Sequence, residues 1–260
     1  MNIIMLGDVV GQGGCDAVRR QLPALKKFYN ADVVIVNGEN SAQGNGILPS
    51  SADHIFSSGA DVITTGNHVF RRREIYPLLE QENSAVIRPA NYSPENPGVG
   101  VYILDMLRYK LAVVNIMGVT NMEPLRNPFD TIDELLQKID TPNVIVDFHA
   151  ETTSEKRAFG FYLDGRVSFV AGTHTHVQTA DEQILPNGTA YITDLGMCGP
   201  KQSVLGVKPE QVIVRFRTAM PTRFENPAGT QMVCGVAVEI DEKTGKAKNI
   251  ERIYCETDLK

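Results

Sequence analysis

Eight side chains able to bind a metal ion or move a proton each stand just after a short apolar run: Asp8, Glu39, Asn40, Asn67, His68, His149, His174 and His176. The runs are residues 2–6, 32–36, 61–65, 143–148 and 167–171, rich in Val and Ile, and they lead into GD, NGEN, GNH, H and GTHTH. Four of the chain's five histidines fall in this set. Singly, each residue has an ordinary explanation. Asp8 can cap a helix, Glu39, Asn40 and Asn67 can form turns, and His68 or His149 can be a hydrogen-bonded structural histidine. The recurrence outweighs those readings, and the pair His174 and His176 points most strongly to a metal.

Counting donors narrows the chemistry. Three imidazoles, two carboxylates and two amide oxygens exceed the needs of one tetrahedral zinc with an open position. They suit two ions sharing a carboxylate, and the mixed N and O donors favour Fe, Mn or Zn over Mg or Ca. In an extended segment, positions i and i+2 project to one side roughly 6–7 Å apart. His174 and His176 could then each serve one of two ions about 3.5–4 Å apart.

Such convergence needs a scaffold. The runs are short and solidly apolar, as in strands covered on both faces, and the helices between the first three imply parallel strands joined by crossovers. A site at the carboxyl ends of the strands of one sheet is expected, because loops from several strands meet there. Residues 14–30 predict a helix with Val18, Leu22, Leu25 and Phe28 on one side and Pro23 as a kink or restart. Ser50 and Asp53 predict a capped helix ending near Gly59, and Asp130 and Asp133 open one carrying Ile132, Leu135, Leu136 and Ile139. Residues 211–217, 231–240 and 247–255 read as three late strands, which predicts a second, largely antiparallel sheet packed on the first.

Composition limits the partners. With 25 Lys plus Arg against 31 Asp plus Glu, the net charge is −6, which argues against a duplex nucleic-acid partner while leaving room for a small anion. Cys15, Cys198, Cys234 and Cys255 are widely spaced and read as free thiols of a reducing compartment, Cys198 as a loop or core thiol rather than a nucleophile. No basic leader and no apolar stretch of about 18 residues is present, so a cytoplasmic protein with no membrane partner is expected. No linker or repeat divides residues 1–260, which read as one domain.

With Asp8, GEN, GNH, His149 and GTHTH in this order, the chain resembles the calcineurin-like metallophosphoesterases, and within them the YmdB-like branch of bacterial cyclic-nucleotide phosphodiesterases. Residues 147–156 (DFHAETTSEK), 172–181 (GTHTHVQTAD) and 190–200 (AYITDLGMCGP) also resemble that branch, so the likeness covers essentially the whole chain. It implies an α/β fold of four layers, α/β/β/α, with two packed mixed sheets flanked by helices. It implies one ion on Asp8, Glu39, Asn40 and His176 and another on Glu39, Asn67, His149 and His174, with Glu39 bridging. Iron is the first expectation, manganese or zinc the alternatives. The wider superfamily has a histidine where Val10 stands and a GDxxD motif where GEN stands; Asn40 takes the missing imidazole's place.

The implied reaction is hydrolysis of 2′,3′-cyclic nucleotides to nucleoside monophosphates. A hydroxide shared by the two ions would attack phosphorus in line, and His68 would protonate the leaving oxygen. A nucleotide-binding regulator with little turnover and a general phosphomonoesterase are the alternatives, and a homo-oligomer is a candidate partner state. A dinucleotide-binding module is disfavoured, since Gly7, Gly11, Gly13 and Gly14 do not form GxGxxG. Asp147, Glu151 and Asp194 could orient ligand histidines, although surface or turn carboxylates are the plainer reading. Arg71, Arg72 and Arg73 could bring positive charge to the site mouth. Thr152, Ser154 and Lys156 could contact phosphate or base.

Overall fold

A strand covered on both faces has no polar side, and the first run shows where its two sides go. In the computed structural model, which describes residues 1–258, Ile3 and Met5 enter one apolar core while Ile4 and Leu6 enter another. The chain runs β1 (Asn2–Leu6), β2 (Asp8–Val9), α1 (Gly11–Tyr29), β3 (Val33–Asn37), α2 (Pro49–Ser57), β4 (Val62–Thr64) and α3 (Tyr76–Leu79). It continues through β5 (Val101–Asp105), β6 (Lys110–Met117), α4 (Pro128–Leu136), β7 (Val144–His149), α5 (Thr153–Tyr162), β8 (Phe169–Thr173), β9 (Gln183–Ile184) and β10 (Ala190–Ile192). Then come β11 (Met197–Pro200), α6 (Pro209–Thr218), β12 (Thr230–Ile240) and β13 (Ala247–Asp258).

One sheet has the order β2-β11-β12-β1-β3-β4, with β13 also paired to β12; the other has the order β5-β6-β7-β8-β10-β9. Both are mixed. In the first, β1, β3 and β4 are parallel and β12 is antiparallel to β1. In the second, β6, β7, β8 and β10 are parallel between the antiparallel edges β5 and β9. Met5, Val33 and Ile35 meet Val113, Ile145 and Phe169 between the sheets. Outside, Val18, Leu22 and Ile55 cover Ile4 and Val36, while Ile132 and Phe159 cover Val114 and Val146. Each such side chain contributes about 1.5–3 kcal/mol by leaving water. The layers are α/β/β/α.

The structure corrects several expectations. The five runs do not share one sheet: β1, β3 and β4 lie in the first, β7 and β8 in the second, so the strand ends converge at a seam between sheets. The late strands β12 and β13 build no sheet of their own, because β12 pairs with β1 through residues 235–239. Residues 211–217 are helical, within α6, where Pro209 sits in the first turn with Glu210 and Arg215 and Arg217 occupy the last. That arrangement suits the helix dipole, and only Val212 of the β-branched run is buried. α1 passes through Pro23 unbroken, and Phe28 is 78% exposed rather than in the core. The predicted caps shift: Ser51 Oγ bonds Leu48 N–H ahead of α2, Asn127 caps α4, and Ile139 lies beyond that helix. Among the described residues no helix is long and apolar enough to cross a membrane.

Candidate metal centre

The parallel strands deliver their carboxyl ends to one place, and two glycines let them come close enough. A Cβ on Gly7 would collide with the Gly196 carbonyl, and one on Gly66 with the His149 ring and the Glu39 carboxylate. Beyond those glycines Asp8, Glu39 and His149 are wholly buried.

Glu39 is the hub. Its Oε1 lies 3.0 Å from Asn40 Nδ2, 3.2 Å from His68 Nδ1 and 3.3 Å from His149 Nε2, and its Oε2 accepts the His68 N–H at 3.1 Å. Burial alone would raise its pKa, but the imidazoles of His149 and His68 outweigh burial and hold it well below the carboxylate range. His149 Nε2 also stands 3.0 Å from Asn67 Oδ1 and 3.1 Å from His174 Nδ1.

The opposite side of the His149 ring explains its orientation. Thr173 donates its hydroxyl to Asp147 Oδ1 at 2.6 Å, so the same Oγ1 accepts from His149 Nδ1–H at 2.9 Å. This commits Nδ1 and turns Nε2 toward Glu39. Asp147 is no surface carboxylate: it is wholly buried, receives Thr64 and Asn37 as well, and burial pushes its pKa up to about 6. Sequence reasoning missed Thr173, Thr64 and Asn37, although Thr173 sits inside GTHTH and Asn37 directly before GEN.

His174 and His176 follow β8 but are not extended, contrary to expectation. Their φ angles are 97° and 63°, left-handed backbone that costs a non-glycine residue about 1–3 kcal/mol. The strand ends at Thr173, and the turn carries both rings back toward β2. His174 N–H donates to Asp8 Oδ2 at 3.2 Å, and His174 Nε2 meets Glu151 Oε2 at 3.0 Å. Glu151 is half-exposed yet orients a candidate ligand. His176 Nδ1 donates to the Leu205 carbonyl at 3.1 Å, leaving Nε2 3.2 Å from Asn40 Nδ2 and 3.6 Å from Asp8 Oδ1.

Proton positions differ sharply among these groups. Burial opposes charge on His149, yet Glu39 and Asp8 push it up to about 9. Burial and the neighbouring charge of His149 drop His174 to about 3. Burial would raise Asp8, but His176 draws it down.

The residues fit a metal. Glu39, His149 and His174 each offer a donor atom, all within 4.8 Å of one another, and Asp8 Oδ1 is buried without any hydrogen-bond donor. Converging lone pairs and an orphaned carboxylate oxygen are both answered by a cation, and imidazole, carboxylate and amide donors together suit a first-row transition ion. One orientation differs from expectation: Asn40 turns its oxygen to His68 Nδ1, at 2.8 Å, and its nitrogen to Glu39 and His176. A half-turn of the amide would present the oxygen to the same point.

A cavity of about 290 Å³ opens over these groups, lined among others by His68, Glu151, Thr175, Leu205 and Gly44. Of the other candidates, Arg72 Nε donates to the Asn45 carbonyl, Thr152 caps α5, and Lys156 is buried against Asp194 rather than facing the cavity. Cys198 lies on β11, buried, with its pKa raised by burial, which suits no nucleophile.

The model of the YmdB-like protein family matches residues 4–253. The chain is 46% identical over 260 residues to the 2′,3′-cyclic-nucleotide 2′-phosphodiesterase of Bacillus subtilis, covering 99% of this chain and 98% of that one. A solved novel phosphatase of Mycoplasma pneumoniae superposes with a TM-score of 0.94 at 38% identity, over 99% of this chain and 94% of that one. A hypothetical protein of Thermus thermophilus superposes with a TM-score of 0.93 at 39% identity, over 98% and 99%.

Proposed function

This chain belongs to the YmdB-like family, and from that membership we propose that it is a phosphodiesterase hydrolysing small phosphodiesters, 2′,3′-cyclic nucleotides first, with two metal ions. The observation that carries this is the meeting of Glu39, His149 and His174 donors within 4.8 Å, beside Asp8 Oδ1, which is buried without a hydrogen bond. In this reading Asp8, Glu39, Asn40 and His176 hold one ion, and Glu39, Asn67, His149 and His174 hold the other. Iron is the first choice, with manganese or zinc as alternatives. When bound, such ions would supply charge neutralisation at the phosphoryl group and lower the pKa of a bound water.

The chain's own residues do the rest. Glu39 joins the two halves, since its two oxygens serve Asn40, His68 and His149 at once. Thr173 and Asp147 hold the His149 ring so that Nε2 faces inward. His68 is partly exposed on the cavity, with Nδ1 engaged by Asn40 and Glu39. In this reading His68 passes a proton to the leaving oxygen, which its position on the cavity supports. The four free cysteines support a reducing, cytoplasmic setting.

The test is metal analysis of the purified protein, followed by assay of 2′,3′- against 3′,5′-cyclic nucleotides on the same sample. Two ions and preferred opening of the 2′,3′ ester are expected. Preference for the 3′,5′ ester overturns the substrate, and a chain without metal overturns the mechanism. The phosphatase description of the Mycoplasma relative favours a second reading, phosphomonoester hydrolysis, which release of inorganic phosphate from nucleoside monophosphates would reveal.

A further inference from the structure

Thr175 lies between two histidines in left-handed backbone, and both of its donors go to one carboxylate oxygen. Its N–H reaches Asp194 Oδ2 at 3.1 Å and its hydroxyl reaches it at 2.7 Å. Lys156 Nζ donates to the same oxygen at 2.7 Å, and both partners of this ion pair are buried. The other oxygen, Oδ1, accepts Gly196 N–H at 2.8 Å, and the Gly196 carbonyl in turn receives Asp8 N–H at 3.2 Å. The backbone of Asp194 closes the far end of the segment. Its carbonyl receives Thr179 N–H at 3.1 Å, and its N–H donates to the Thr179 hydroxyl at 2.9 Å. One side chain thus holds the residue between His174 and His176 directly and reaches Asp8 through a single glycine.

Stability alone does not account for this arrangement. A buried ion pair adds little net stability over apolar side chains of the same volume, whereas its location governs a strained segment carrying two candidate ligands. Without the bonds to Thr175, nothing on that residue opposes relaxation of the flanking left-handed angles toward extended backbone, which would swing both imidazoles. Every group facing the Asp194 carboxylate is a donor, so an amide there sets its NH₂ against either Thr175 and Lys156 or Gly196.

We infer that Asp194, anchored by Lys156, is a positioning residue that sets the spacing of His174, His176 and Asp8, and through it the affinity of that face of the centre for a cation. The inference rests on the metal-centre reading above. It assigns to Asp194 no contact with cation or substrate, as its full burial outside the cavity lining requires.

The test titrates Mn²⁺ into the chelator-stripped full chain by calorimetry, with the melting temperature of each stripped variant measured beside it. Thr175→Val and Asp194→Asn are expected to lose at least about tenfold in Mn²⁺ affinity, while Thr175→Ser, which keeps the hydroxyl, retains the wild-type value. If Thr175→Val melts lower yet binds Mn²⁺ as the wild type does, or if Thr175→Ser loses as much as Thr175→Val, the inference is overturned. Should Asp194→Asn fail to fold, the Val and Ser pair decides. A wild-type chain that binds no Mn²⁺ overturns the metal-centre reading itself, a different result from unaltered variants of a binding wild type.

Discussion

The centre is assembled in two ways. Asp8, Glu39 and His149 sit on or just beyond strand ends, wholly buried: Asp8 and His149 lie in strand ladders, and Glu39 follows β3 by two residues with its N–H held by Asn37 Oδ1. His174 and His176 sit in a left-handed turn beyond β8, partly exposed, and are aimed by side chains and single carbonyls: Glu151, Leu205 and the Asp194 clamp. Ladder bonds form cooperatively with the sheet and with the core behind it, so the first group is as rigid as the fold. The second group is only as well placed as the few polar contacts around it, which makes it the adjustable half.

This difference can be broken or sharpened by substitution. Glu39→Gln, in the rigid half, is expected to empty both metal positions. Losing a cation's stabilisation of several kcal/mol lowers turnover at least about 10³-fold, and metal analysis of the purified variant checks the cause. His68→Ala removes a group belonging to neither half as ligand. Turnover is expected to fall about 10²–10⁴-fold at unchanged metal content, and an emptied centre in this variant would make His68 a ligand instead of the acid. Thr173→Val cuts the relay from Asp147 to His149, with an expected loss of about 10–100-fold in metal affinity. The ring then keeps only its Nε2 contacts, to Glu39, Asn67 and His174.

The pH dependence of the stripped protein is subtler, and the two halves pull it in opposite directions. His149 titrates near 9 when folded against a usual 6.5. Its contribution is therefore complete below about pH 6.5 and fades as pH rises through 9. His174 is held down to about 3, so its contribution is present above about pH 6.5 and fades as pH falls toward 3. Thermal melts across pH should show His149→Gln flattening the alkaline limb and His174→Gln the acid limb. A single variant flattening both would mean that the pair titrates as a unit.

Much of this was readable in advance. The strand runs ending in GD, NGEN, GNH and GTHTH announce a donor set because fully buried strands leave chemistry only at their ends, and all seven proposed ligands do gather at one seam. Residues 211–217 were not readable. QVIVRFR has the β-branched density of a strand, and only Pro209 and the end charges tell of the helix it forms. Phe28 has the right helical phase for the core but lies in the last turn of α1, where it is exposed. The plain reading of Asp147 and Asp194 as surface carboxylates failed because their donors come from distant segments: Asn37, Thr64 and Thr173 for one, Lys156, Thr175 and Gly196 for the other.

Residue types and short-range order were enough to single out the candidate donors and most of the strand runs, since apolar periodicity and ligand chemistry are local properties, while the four-layer architecture was legible only through the family resemblance. Which sheet each strand joined, the backward turn at His174 and His176, and the buried carboxylates that hold the rings were decided only in three dimensions. They depend on close approach between residues as far apart in the chain as Asp8 and His176, where packing and hydrogen-bond satisfaction act across the whole fold.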